Sequence, residues 1–203
     1  MSEPGRPDRA AHTGGLPATV RPATASDVDV LARVAAATFA LACPPHMSID
    51  RIDAFIDGVL SRSRFEEYLE DDARRVLITE RSGRPLGYAM LVDAQPSDPD
   101  VAAAVRRRPT VELSKIYVLP EAHGSGGAHA LMEAGLDWAR ARGALGVWLG
   151  VNQQNERAQR FYAKSGFTVV GTKRFLVGDR YEDDFVMERP SEPSPTPEPG
   201  GQG

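Results

Sequence analysis

The sequence predicts a mixed α/β (α+β) fold, and three observations predict it. Amphipathic helical stretches come first, an antiparallel hairpin occupies the middle, and a strand–helix–strand passage follows. Early helices and a hairpin together argue against a purely doubly wound parallel sheet.

Element by element, Thr19 to Arg21 is a short strand. Ser26 is placed as the N-cap of a first helix, with Asp27 and Asp29 in its first turn. Val28, Leu31, Ala35, Phe39 and Ala42 follow at helical spacing, and Pro44-Pro45 ends the run. Ile49 to Leu60 and Phe65 to Leu69 form a second, weaker helical region. Val76 to Thr79, the turn Ser82-Gly83 and Leu86 to Val92 make the hairpin. Gln95 to Pro109 reads as a polar connection, and Val111 to Leu119 as a strand stopped by Pro120. Ala128, Leu131, Met132, Gly135, Leu136 and Ala139 share one helix face, closed by Gly143. Val147 to Val151 is a strand, Asn155 caps a further helix, and Gly166 stops it. Phe167 to Val177 and Asp184 to Met187 are the last strands. The expected order is β-α-α-β-β-β-α-β-α-β-β.

Residues 1–17 and 190–203 are expected to be disordered tails around a single domain at 18–189. The last fourteen residues hold five prolines and three glycines with almost nothing apolar to bury. In a chain of 203 residues, 41% hydrophobic and 26% charged, one core of ordinary size is expected. A net charge of −4 gives no footprint for nucleic acid. No stretch is apolar and long enough to span a bilayer, and Met1 to Pro17 lacks the apolar run of a secretory signal. A reducing cytoplasm is therefore expected. The single cysteine, Cys43, permits no intrachain disulfide and is expected to be a buried structural thiol; His12, His46, His123 and His129 have no metal-ligand spacing.

The chemistry concentrates between Glu112 and Arg142. A strand, Glu112-Leu-Ser-Lys-Ile-Tyr-Val118, runs through Leu119-Pro-Glu-Ala-His-Gly-Ser-Gly-Gly-Ala128 directly into an amphipathic helix. Glycines before a helix let a ligand approach the backbone, and the first turn offers unpaired N–H groups, which suits phosphate or pyrophosphate. A P-loop needs Gly-Lys-Ser/Thr, which is absent. A dinucleotide fingerprint needs a glycine where His129 stands, and a βα unit near the start of the fold.

The segment His123-Gly124-Ser125-Gly126-Gly127-Ala128 resembles the pyrophosphate motif of the GCN5-related N-acetyltransferase (GNAT) family, Arg/Gln-x-x-Gly-x-Gly/Ala. The preceding Ile116 to Glu121 is similar to the same family, and Asn155 to Phe167 resembles its second conserved region. Two motifs in the right order, with a strand between them, make the resemblance specific. It implies a mixed, mostly antiparallel central sheet flanked by helices, acetyl-CoA as co-substrate, and, by analogy, a possible homodimer. His123 departs from the family pattern, since an imidazole lacks the guanidinium fork. Val147 to Val151, Asn155 to Phe167 and the ending Phe175 to Met187 are also similar to bacterial spermidine/spermine N-acetyltransferases of the PaiA type.

The resemblance implies roles residue by residue. Glu112 stands where family members carry a carboxylate base, against an alternative as a solvated strand glutamate. The backbone of Ile116, Tyr117 and Val118 matches the bulged strand that receives the thioester and pantetheine. Tyr162 matches the general acid towards the CoA sulfur, its alternative being a packing role. Asn155 caps its helix and is placed to bond the pantetheine arm, with Phe161 beside it. Gly124, Ser125, Gly126, Gly127 and Ala128 would supply N–H groups to the pyrophosphate.

The expected activity is acetyl transfer to a primary amine of a small molecule, polyamines favoured. Protein N-termini or lysines are alternative acceptors, and a non-catalytic acyl-CoA sensor is an alternative from another class. Two acidic clusters, Glu66 to Asp72 and Asp179 to Asp184, read by default as solvated faces; either would steer a polyamine if it bordered the cleft.

Overall fold

A computed structural model describes residues 18–43, 47–177 and 180–191. The elements are β1 (Thr19–Pro22), a 3-10 turn (Ala25–Asp27), α1 (Val28–Ala42), α2 (Ile49–Val59), α3 (Arg62–Glu70), β2 (Arg74–Arg81) and β3 (Arg84–Val92). They continue with α4 (Pro99–Ala104), β4 (Thr110–Val118), a second 3-10 turn (Pro120–Ala122), α5 (Gly127–Ala141), β5 (Gly146–Asn152), α6 (Glu156–Lys164), β6 (Thr168–Val177) and β7 (Arg180–Pro190).

Among the described residues, the strands form one sheet in the order β1-β2-β3-β4-β5-β7-β6. Every neighbouring pair is antiparallel except β4 and β5. The βαβ crossover through α5 makes that one parallel pair, because two parallel strands cannot be joined by a tight turn. The sheet is mixed and mostly antiparallel, with helices on both faces.

Period-two alternation divides the core. On one face, Leu131, Met132, Leu136 and Ala139 of α5 pack against Leu91, Val111, Leu113, Val147 and Leu149, with Phe161 and Tyr162 of α6 at the margin. On the other face, Leu31, Val34, Ala35 and Phe39 of α1 and Phe65 of α3 cover Ile78, Tyr88 and Met90. A small third cluster joins Val101 and Val105 to Trp148 and Val186.

Several sequence expectations are corrected. The first helical turn is capped by Thr24, not Ser26. Asp27 folds back so that its carboxylate accepts from the Thr24 N–H at 2.8 Å and the Thr24 hydroxyl at 2.9 Å, while Arg21 grips it with two bonds of 2.8 Å. The second helical region is two helices, since the chain turns at Leu60 and Ser61. The polar connection contains α4, whose N-cap Asp98 accepts from the N–H groups of Asp100 and Val101 at 2.8 and 3.2 Å. The final strand is longer than expected and runs past Arg189: Pro190 pairs with Gly146, and the Ser191 N–H donates to Leu145 O at 3.0 Å. Residues 1–17 and 192–203, where most of the tail expectations fall, lie outside the described residues, as do Pro44, Pro45 and Asp179.

Candidate active site

β4 carries two irregularities that open the sheet. Opposite β3, Met90 pairs with Lys115 but Leu91 pairs with Leu113, so Ser114 is an extra, bulged residue. On its other edge β4 pairs with β5 over three rungs only, Thr110–Gly146, Val111–Val147 and Glu112–Trp148. Beyond Glu112 the two strands part, and each leaves an edge without a strand beside it.

A cavity of about 820 Å³ occupies this opening, and it is lined by Glu112, Ile116, Tyr117, Val118, His123, Ala128, Asn155, Phe161 and Tyr162. Nine of the thirteen site residues read from the sequence therefore line one cavity. Gly124, Ser125, Gly126 and Gly127 lie in the loop beside it.

Backbone alternation sorts the β4 donors. The Leu119 N–H donates to Leu86 O of β3 at 2.8 Å, so the Tyr117 N–H, two residues back, also points at β3. The N–H groups of Ile116 and Val118 point the other way, along the open edge. This corrects the expectation for Tyr117: its backbone donor is engaged in the ladder, and its ring faces the cavity instead.

The glycine loop presents donors of its own. Gly124 and Gly126 have φ of 76° and 82°, a conformation that a residue with a Cβ resists. Gly126 is the N-cap of α5, and the first turn-to-turn bond runs from the Ala130 N–H to Gly126 O at 2.9 Å. The Gly127 N–H is taken by Ser125 Oγ at 3.3 Å. The N–H groups of Ala128 and His129 belong to the first turn and have no earlier helical turn to bond. Together with the helix dipole they make a ready anion seat. His123, exposed at the cavity mouth, borders it.

On α6, Asn155 Oδ1 accepts from the Ala158 N–H at 3.0 Å, so the residue caps the helix and faces the cavity at once. The Tyr162 ring is held edge-on by Phe161 at 5.5 Å and Phe167 at 6.0 Å. Burial pushes its phenol well above the ordinary value, with Tyr117 adding to the shift, so Tyr162 keeps its proton.

Charged side chains line the cavity as well. Burial raises the Glu112 carboxyl, against the pull of Lys173, Lys115 and Arg74. Burial also lifts Asp184 to about 6, with Lys173 opposing, and Tyr117 to about 12. Lys115 is lowered to about 8 by burial, although Glu112 favours its charged form. Cys43 lines the cavity too, and burial pushes its thiol up to about 11, which keeps it protonated and a poor nucleophile.

Lys115, Lys173, Glu182 and Asp184 line the cavity but were not singled out from the sequence as site residues. Period two in Glu182-Asp183-Asp184 was the available signal: the outer two are buried at 9% and 7% exposure, while Asp183 is exposed. Lys115 needs the bulge and Lys173 needs its pairing with Asp184, and neither is written in local sequence. The other acidic cluster stays on the surface, where Glu66, Glu67 and Asp71 pair with Arg62, Arg64 and Arg74.

Comparison with known proteins agrees with this geometry. The family model described as the acetyltransferase (GNAT) family matches residues 39–167. An uncharacterized N-acetyltransferase of Mycobacterium tuberculosis is 50% identical over 164 residues, covering 81% of this chain and 97% of the relative. The crystal structure of PaiA N-acetyltransferase from Thermoplasma acidophilum in complex with coenzyme A superposes with a TM-score of 0.69 at 20% identity, over 86% of this chain and 99% of that one. An acetyltransferase structure from Salmonella typhimurium with its cofactor acetyl-CoA gives a TM-score of 0.59 at 23% identity, over 90% and 98% of the two chains. At these identities the structural likeness is one of fold. The family match and the mycobacterial relative carry the assignment: the chain belongs to the GNAT family and is an acetyl-CoA-dependent N-acetyltransferase.

Proposed function

We propose that the acceptor is a primary amine of a small cationic molecule, with a polyamine the favoured class. The observation that carries this reading is the placement of Glu182 and Asp184: both line the cavity that Glu112 and Tyr162 line. An alkylammonium entering there meets three carboxylates, against two lysines and the exposed Arg157 that also line the cavity, and one of the lysines, Lys173, already lies beside Asp184. The carboxylates concentrate the cation, and the low-dielectric wall strengthens their pull.

In this reading Glu112 accepts the proton that the amine must lose before it attacks, since an alkylammonium with a pKa of about 10.4 is almost wholly protonated at neutral pH. The raised pKa of Glu112 makes it a better match to that task than an ordinary carboxylate. The N–H groups of Ile116 and Val118 receive the thioester and pantetheine, where developing oxyanion charge needs fixed donors. Tyr162 gives its proton to the departing sulfur. Ala128, His129 and the glycine loop hold the pyrophosphate, with Asn155 and Phe161 along the pantetheine.

The test is CoA release across spermidine, spermine, amino acids, aminoglycosides and short peptides. Turnover on di- or polyamines, with KM raised several-fold by Glu182→Gln or Asp184→Asn and a weakened salt dependence, supports the reading. Turnover confined to peptides, or a polyamine KM indifferent to both substitutions, overturns it.

A further inference from the structure

The cavity contains an amine of its own. The chain has only three lysines, Lys115, Lys164 and Lys173, and all its other basic residues apart from histidine are arginines. Two of the three line the active cavity, while Lys164 is exposed on α6. The difference is chemical, because a guanidinium does not deprotonate in proteins and a lysine amine can.

The two cavity lysines are held differently. Lys173 crosses β5 over Gly150, beside Asp184, with its ammonium 5.8 Å from the centre of the Trp148 ring. Lys115 stands directly after the Ser114 bulge, and its ammonium donates one long hydrogen bond, 3.4 Å to Ser114 Oγ. Among the described residues no carboxylate lies within ion-pair distance of it. It is next in sequence to Ile116, whose N–H points along the open edge where the thioester is received. Both residues line the same cavity.

We propose that Lys115 is an internal acceptor, acetylated by the enzyme from its own acetyl-CoA when no amine substrate occupies the cavity. The inference rests on the acetyl-CoA reading and not on the identity of the external amine. Burial lowers Lys115 to about 8, so roughly a tenth of it is free base at pH 7. The Nζ lone pair forms the C–N bond to the thioester carbonyl carbon, and the C–S bond breaks. The proton released by nitrogen passes to Glu112, and the sulfur leaves as CoA thiol after protonation. Acetyl-CoA and Lys115 become CoA and N-acetyl-Lys115, with no oxidant or reductant required. The product carries no charge, so Glu112 loses one of the cations that favour its ionised form.

The experiment incubates the full chain with acetyl-CoA alone and follows intact mass, then maps the modified peptide. The expected result is one acetyl group on Lys115, acquired ahead of the exposed Lys164, absent from Lys115→Arg and suppressed by a large excess of CoA. Acetyl gained first at Lys164, no acetyl at Lys115, or gain at Lys115 that excess CoA and prior denaturation leave unchanged, would each overturn the proposal. Failure of every external amine to turn over in the acceptor panel would count against the polyamine reading and leave the Lys115 result standing.

Discussion

Glu112 and Trp148 form the last parallel rung between β4 and β5, and the strands separate immediately beyond them. The carboxylate therefore sits at the apex of the opening, on the strand whose next residues offer backbone donors. Its burial and its place beside the opening come from the same event: the sheet is still closed at Glu112 and open by Ile116.

That position predicts a pH signature. In the proposed mechanism Glu112 is the base, which works only when ionised, and burial raises its pKa. The acid limb of kcat/KM must therefore lie above the pH range of an ordinary glutamate, with activity rising as pH rises through it. Glu112→Gln should remove this limb and lower kcat/KM by about 10²–10⁴-fold, with acetyl-CoA Kd little changed. A pH–rate series on both proteins measures it. A variant with the same acid limb as the wild type would assign the base elsewhere.

Tyr162→Phe tests the proposed general acid. The ring contacts to Phe161 and Phe167 survive the substitution, so the fold and acetyl-CoA affinity should hold. The variant should lose about 10²-fold or more in kcat while KM for acetyl-CoA moves little. Because burial holds the phenol above its usual value, any basic limb due to Tyr162 falls above pH 10. Stopped CoA release at saturating acetyl-CoA reads the effect directly.

Gly150 is required by close approach. A Cβ there would stand 2.6 Å from Lys173 Cε and 3.3 Å from Asp184 Oδ2. Gly150→Ala must displace Lys173, whose flexible end can move, so the stability cost should stay near or below about 1 kcal/mol. The functional cost should be larger, seen as a several-fold higher KM for the amine with unchanged acetyl-CoA Kd. Equal losses in both constants would mean that the strand itself had shifted.

The Asp27 clasp gives a stability prediction. Arg21, then the Thr24 N–H and hydroxyl, hold the Asp27 carboxyl well below the usual range. A carboxylate depressed in the folded state contributes stability above its unfolded pKa of about 4, and that contribution is lost as pH falls through its folded value. Asp27→Asn should cost about 1–2 kcal/mol at pH 7, and the gap from wild type should narrow as pH drops below about 4. Urea melts at pH 7, 5 and 3 test the sign.

The legible part of this protein was local. Glycines ahead of α5, the Asn155 cap and the run from Phe161 to Phe167 lie close in sequence, and their roles in shaping the fold follow from local chemistry. What stayed hidden depends on pairing between distant strands. The Ser114 bulge exists only against β3, the neighbourhood of Lys173 only against β7, and the direction of the Tyr117 N–H only once the Leu119–Leu86 bond is known. Helix α4 was missed because six residues between polar flanks carry too little periodicity to register.

Glu188 shows the same limit, and it yields the clearest structural test. Its side chain is completely buried on β7, yet nothing around it in sequence marks it as special. Its Oε1 accepts from the N–H groups of Arg106 and Arg107 at 3.0 and 2.9 Å, and its Oε2 pairs with Arg107 Nη1 at 2.8 Å. The carboxylate thus ties down the segment between α4 and β4, which sets where β4 begins and so where Glu112 falls. Arg107 is 44% exposed, so its guanidinium is partly screened and the two backbone bonds dominate. Glu188→Ala strands both N–H groups and should cost about 3–5 kcal/mol, a drop in Tm on the order of 10 °C for a chain of this size. Arg107→Ala should cost only about 1 kcal/mol, and Glu188→Gln, which keeps an acceptor oxygen, should fall between the two. If thermal melts rank Arg107→Ala as the more damaging change, the ion pair rather than the backbone bonds anchors this segment.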